Sequence, residues 1–145
     1  MAGPTIFTGY LSDNIKVTVD NATAAGTSAI DSTSIDMTGF DGVLFIVKLG
    51  TAAANNTAKA QEDTVTGFGT VQDLAGSLTA AGVTNKVLMI DIERPTKQWV
   101  RVEVARGTST TIDSILAIQY KARSLPITQL LTTIKQLHEP AEGTA

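Results

Sequence analysis

One histidine, His138, stands beside Glu139 near the end of this 145-residue chain. A general base or a metal ligand works only where other groups converge on it. The sequence has no second histidine and no cysteine to do so. A serine nucleophile needs a base held against it, and no spacing supplies one. The aspartates Asp13, Asp20, Asp31, Asp36, Asp41, Asp63, Asp73, Asp91 and Asp113 are spread singly, without the D-x-D-x-D spacing of a calcium loop. Most adjoin Gly, Asn, Ser or Thr, where a carboxylate serves a turn. Gly67-Phe68-Gly69 lacks the lysine and the strand–helix context of a phosphate loop and reads as a turn. Asp91 and Glu93, two apart at a strand end, share a face and are placed to pair with Arg94 or Arg101. The expectation is therefore no catalytic residue, no metal and no cofactor: a protein that is not an enzyme.

The elements that would carry these side chains are short strands. Asn14–Val19 alternates apolar and polar residues and ends at the turn pair Asp20-Asn21. Ala22–Ala29 reads as a loop of small residues, and Thr33–Met37 as a weak strand. Phe40-Asp41-Gly42 reads as a turn before Gly42–Gly50, GVLFIVKLG, which is apolar on both faces like a central sandwich strand. Ala58–Glu62 alternates again, and Val71–Leu74 is a short element. Gly76–Gly82 reads as loop. Lys86–Ile92 and Ile112–Tyr120 read as strands. Turn-punctuated runs of this length predict an all-β fold, a single jelly-roll-like β-sandwich of about seven or eight strands over residues 13–122. Residues 1–12 read as an N-terminal arm.

Trp99–Ala105 has the clearest alternation. Val100, Val102 and Val104 fall on one face; Trp99, Arg101, Glu103 and Ala105 fall on the other. Trp and Arg are enriched at protein interfaces, so Trp99 and Arg101 mark either a docking face or a solvated sheet face. After Ser124-Leu125-Pro126, the residues Ile127, Leu130, Leu131, Ile134 and Leu137 recur at helical spacing. They predict a C-terminal helical arm over residues 123–145, with Ser124 as cap and a disordered end beyond Pro140. Its stripe packs either on its own sandwich or on a neighbouring subunit. Ile6, Phe7 and Tyr10 give the N-terminal arm a comparable apolar set.

Composition excludes several classes. The formal net charge of −3 offers no basic face to nucleic acid. No apolar run approaches the ~20 residues of a membrane helix, and MAGPTIFTGY is not a signal peptide. Charged residues make up 17%, below the usual quarter, and threonine about one residue in seven. Polarity thus comes from hydroxyls on β-branched side chains, which favour strands.

Read in order, the stretches IDMTGFDGVLFIVKLG, AKAQEDT, GFGTVQDLAG, VLMIDIERPTKQWVRVEVARG and ILAIQYKARSLPITQ resemble a group of small tailed-bacteriophage structural proteins. Several of that group are head decoration, or cement, proteins. The resemblance rests on the turn Thr38-Gly39-Phe40-Asp41-Gly42 before a buried strand and on the run Arg94–Val102, and covers roughly residues 10–128. It implies a homotrimer that binds the major capsid protein on the outside of the virion. The interface would draw on Ile6, Phe7, Tyr10, Trp99, Arg101, Ile127, Leu130, Leu131, Ile134 and Leu137. A phage tail or head–tail connector component, and a carbohydrate-binding module built on Trp99 and Phe68, are the alternatives.

Overall fold

A computed structural model describes residues 9–20, 22–129, 133–138 and 143. Among these, a 3-10 turn (Leu11–Asp13) leads into eleven strands. They are β1 (Lys16–Asp20), β2 (Thr23–Gly26), β3 (Ile30–Asp31), β4 (Ile35–Asp36), β5 (Phe40–Leu49), β6 (Asn56–Asp63), β7 (Gln72–Asp73), β8 (Thr79–Ala80), β9 (Val87–Glu93), β10 (Trp99–Arg106) and β11 (Thr110–Ala122). Two antiparallel sheets pack face to face as a β-sandwich. The first runs β1-β11-β5-β9, with β2 also on β11; the second runs β3-β10-β6-β7, with β4 on β10 and β8 on β6. Seven strands have four residues or more, and β3, β4, β7 and β8 are two-residue pairings. The longer set, apart from β2, accounts for the sequence periodicities.

Period-2 alternation builds the core. Val43, Phe45, Val47 and Leu49 of β5 point inward and are completely buried, opposite Val100, Val102 and Val104 of β10. Ile112, Ile115 and Ala117 of β11 and Leu88 and Ile90 of β9 fill the same layer, while β6 contributes Ala58 and Ala60. Burying each large aliphatic or aromatic side chain here stabilises by about 1.5–3 kcal/mol.

The inward row of β10 does not end apolar. Arg106, only 5% exposed, donates from Nε to the Ser28 carbonyl at 2.8 Å, and from Nη1 to the carbonyls of Ala24 (2.8 Å) and Thr110 (2.9 Å). This guanidinium organises the Ala22–Ala29 stretch, so that small residues which read as loop form β2 against β11. The turn read at Phe40–Gly42 lies slightly earlier. Gly39 takes φ +85, and β5 begins at Phe40. Gly42 is needed for a different reason. A Cβ there would come within 2.3 Å of the Tyr120 ring, which crosses over it to donate to Asp91 at 2.5 Å. Burial raises the Tyr120 hydroxyl, and the Asp91 carboxylate raises it further.

The C-terminal segment is an arm without helix in its described residues, 124–129 and 133–138. Helical spacing is overridden by tertiary partners. Leu125 precedes a proline, which disfavours α geometry, and a helix of three turns is marginal alone. The Ile127 N–H instead donates to the Asp13 carbonyl at 2.9 Å. The Gln129 side chain accepts from Val17 N–H at 3.2 Å and donates to the carbonyls of Ile15 and Ser12. One glutamine therefore pairs the outer edge of β1, where an unprotected strand would invite association.

Candidate docking face

A two-layer sandwich covers one face of each sheet. What the uncovered faces carry decides what the protein can hold. On the second sheet the charged side chains of that face are engaged by one another. Arg101 extends from β10 with its side chain 17% exposed, ion-paired to Asp31 at 3.0 Å. Its Nε donates to Gln61 at 2.9 Å, and the guanidinium lies 4.3 Å from the centroid of the Phe68 ring. Lys59 pairs with Asp73 (2.8 Å) and Glu103 (3.3 Å). Both carboxylates lower the proton loss of Lys59, Asp73 contributing most.

Buried carboxylates hold the loops of this sheet. Asp63, fully buried, accepts from the N–H groups of Thr64 (2.6 Å), Val65 (3.3 Å) and Thr70 (2.8 Å) and from the Thr70 hydroxyl (2.9 Å). Burial alone would raise its carboxyl; these donors, led by Thr70, outweigh it and bring the value down to about 2. The clamped loop carries Phe68 beneath Arg101. Glu62 accepts from Thr96 N–H, the Thr96 hydroxyl and Lys97 N–H and fixes the approach to Trp99. Both carboxylates are saturated by donors. Among the described residues no group of three or more His, Cys, Asp or Glu is arranged to hold a metal ion. No described helix is long and apolar enough to cross a membrane.

The first sheet differs. Its register aligns Val17–Ile118–Leu44 in one cross-strand row, ending at Asp91, and Val19–Leu116–Ile46–Met89 in the next. Val87 stands beside them, opposite Lys48. All face away from the core. Val19 is 61% and Met89 60% exposed, and the central four are half-buried by one another. Eight apolar side chains at strand and residue spacing cover roughly 250–300 Å², near the size of patch that is often functional on a monomer.

The rim is polar and self-neutralised. Lys48 pairs with Asp113 at 2.6 Å at one end, and Lys121 with Glu93 at 2.6 Å at the other. The hydrogen bond from Lys48 to Asp113, and that from Lys121 to Glu93, is the main influence holding each carboxyl below its ordinary value. Both ends of β11 are irregular: the register shifts between Ile112 and Ser114, and Lys121 adopts φ +52. The face is thus an apolar centre with one ion pair at each end.

Of the residues singled out in the sequence, Arg101 is engaged within its own sheet and Trp99 is half-buried at the start of β10. Phe68 is buried under Arg101, so it is not available as a sugar platform. Arg94 meets Glu93 only at 4.0 Å, and Arg101 is paired in the other sheet. Tyr10 is half-buried, its carbonyl accepting from Asp13 N–H and the Asn14 side chain. Ile127 is half-buried, and Ile134 and Leu137 are exposed. Ile6, Phe7, Leu130 and Leu131 lie outside the described residues. The apolar face of β1, β11, β5 and β9 was missed. Its signal lies in GVLFIVKLG, whose two-sided apolarity fits burial on both faces equally well.

Comparison with family models, with curated proteins and with solved structures returns no match for this chain.

Proposed function

We propose that this chain is a non-enzymatic structural subunit of a tailed-bacteriophage particle. In this reading it is a cement protein that binds the outside of the assembled capsid and stabilises it, as a homotrimer in contact with the major capsid protein. The observation that carries the reading is the apolar row Val19–Leu116–Ile46–Met89 framed by paired charges. The sequence resemblance supplies the partner. At roughly 250–300 Å² this face is about a third of the ~800 Å² per partner in a standard interface. One copy holds weakly, and a symmetric set of copies on a lattice gains avidity without new contacts. Binding to the assembled lattice and not to free subunits stabilises the lattice by mass action.

Quantitative mass spectrometry of purified particles tests the reading. Hundreds of copies, near-stoichiometric with the major capsid protein, are expected. A handful of copies would transfer the protein to the tail or connector, and absence from the particle would end the structural reading. An Ile46→Asp variant, with unchanged circular dichroism, is expected to lose at least tenfold in capsid affinity, because the charge is desolvated on docking. Undiminished binding would move the interface elsewhere.

A further inference from the structure

At the end of the sandwich where β5 begins and β11 ends, an open cleft of about 710 Å³ lies between three chain segments. Its walls include Met37, Phe40, Asp41, Arg94, Lys97 and Arg123. The backbone ties them together: Arg94 N–H to Asp41 carbonyl at 2.7 Å, Arg123 N–H to Gly39 carbonyl at 2.9 Å, and Met37 N–H to Gln98 carbonyl at 2.8 Å. Both stretches that carry the sequence resemblance, Thr38–Gly42 and Arg94–Val102, thus meet here. Three cations and one carboxylate line it, with Glu93 reaching Arg94 only at 4.0 Å, in a chain whose net charge is −3. Asp41 pairs with Arg123 at 2.8 Å, yet the Arg123 side chain stays 70% exposed and that of Arg94 81%. Arg94 also adopts φ +55, a left-handed conformation that is unfavourable for a non-glycine residue.

We infer that this cleft binds the acidic segment Glu139–Glu142 of the same chain, forming an electrostatic latch for the C-terminal arm. Charge and reach both point to that occupant. Gln136 donates to the Ser12 hydroxyl (2.9 Å) and to the Asp13 carboxylate (2.8 Å). Asp13 also takes the N–H of Ile127, four residues beyond Arg123. At ~3.5 Å per residue, Arg123 is within about 15 Å of this anchor, and Glu142, six residues past Gln136, reaches about 20 Å. Arg94 lies at the end of β9, two strand positions across the sheet from β11, about 10 Å further. The acidic stretch EPAE therefore starts at the correct end of the molecule, with two carboxylates for the cations that Asp41 does not neutralise. Its capture holds Gln129 against the edge of β1; its release frees that edge. The inference is independent of the capsid reading.

The natural chain has no cysteine, so disulfide trapping gives a direct test. Thr38→Cys at the cleft and Ala141→Cys in the acidic segment are expected to cross-link within one chain at least tenfold faster than a control pair. The control combines Val83→Cys, exposed in the loop before β9, with Ala141→Cys. Adding Arg94→Glu and Lys97→Glu, or raising salt to about 1 M, is expected to slow the cleft pair about fivefold, since exposed ion pairs are weak and screened. Equal rates for the two pairs, or indifference to charge reversal and salt, would overturn the inference. A product that is a disulfide-linked dimer, growing with protein concentration, would overturn the assignment to the same chain.

Discussion

Replacing Arg106 with methionine keeps the aliphatic stem and removes the three hydrogen bonds that the buried guanidinium donates to backbone carbonyls. The acceptors do not suffer equally. Ala24 and Ser28 are exposed residues, so water takes the place of the guanidinium at their carbonyls, and each lost bond costs about 1 kcal/mol. Thr110 is 2% exposed. Its carbonyl loses a charge-assisted bond where water does not reach, at about 2 kcal/mol. The sum is about 4 kcal/mol, a large share of the stability of an ordinary domain. For a chain of this size it corresponds to a fall of about 10 °C in Tm. Urea denaturation followed by circular dichroism is the assay, with the loss expected in the midpoint and little change in slope. Hydrogen exchange should show the amides of β2 opening first. Arg106→Lys is expected to recover less than half, because one ammonium cannot span three carbonyls as the planar fork does. A loss below about 1 kcal/mol in Arg106→Met would refute the claim that this side chain organises β2.

Two further perturbations test the loops and the apolar face of the first sheet. The Asp63 carboxyl, at about 2 in the fold against an ordinary 3.8, contributes stability that is complete above roughly pH 4 and lost as pH falls through 2. Asp63→Asn should therefore be less stable than the parent at about pH 6, with the gap closing toward pH 2 in denaturant titrations; a gap independent of pH would contradict the assignment. Gly42→Ala should destabilise by about 1–3 kcal/mol by driving a methyl group into the Tyr120 ring. Combining it with Tyr120→Ala should cost less than the sum of the two single losses, and strict additivity would place the strain elsewhere.

How far the sequence reaches depends on what each element obeys. Alternation in Trp99–Ala105 gave β10 and its buried valines, because one face meets a core and the other does not. Ala22–Ala29 carries no period, and its strand exists through Arg106, a residue about eighty positions away. The helical spacing of Ile127–Leu137 is real in the sequence. It yields where Gln129 and Ile127 find partners along the 3-10 turn and β1. The apolar face of the first sheet is half visible in the sequence. A strand apolar on both sides within a two-layer fold leaves one side without a layer, and periodicity alone cannot name the layer it lacks. Arg101 shows the converse. Its residue type suggested an interface, while Asp31, Gln61 and Phe68, distant in sequence, already occupy it.

β11 pairs with β1, β2 and β5 at once, and this has a consequence for biosynthesis. The first sheet has no centre until Thr110–Ala122 leaves the ribosome. Until then β1 and β2 wait unpaired, and the two-sided apolar β5 has only β9 beside it. Pairing across such sequence separations makes folding slow, and exposed hydrophobic strands are the species that aggregate in that interval. Demand for chaperones should therefore concentrate on the nascent chain and end once β11 is in place.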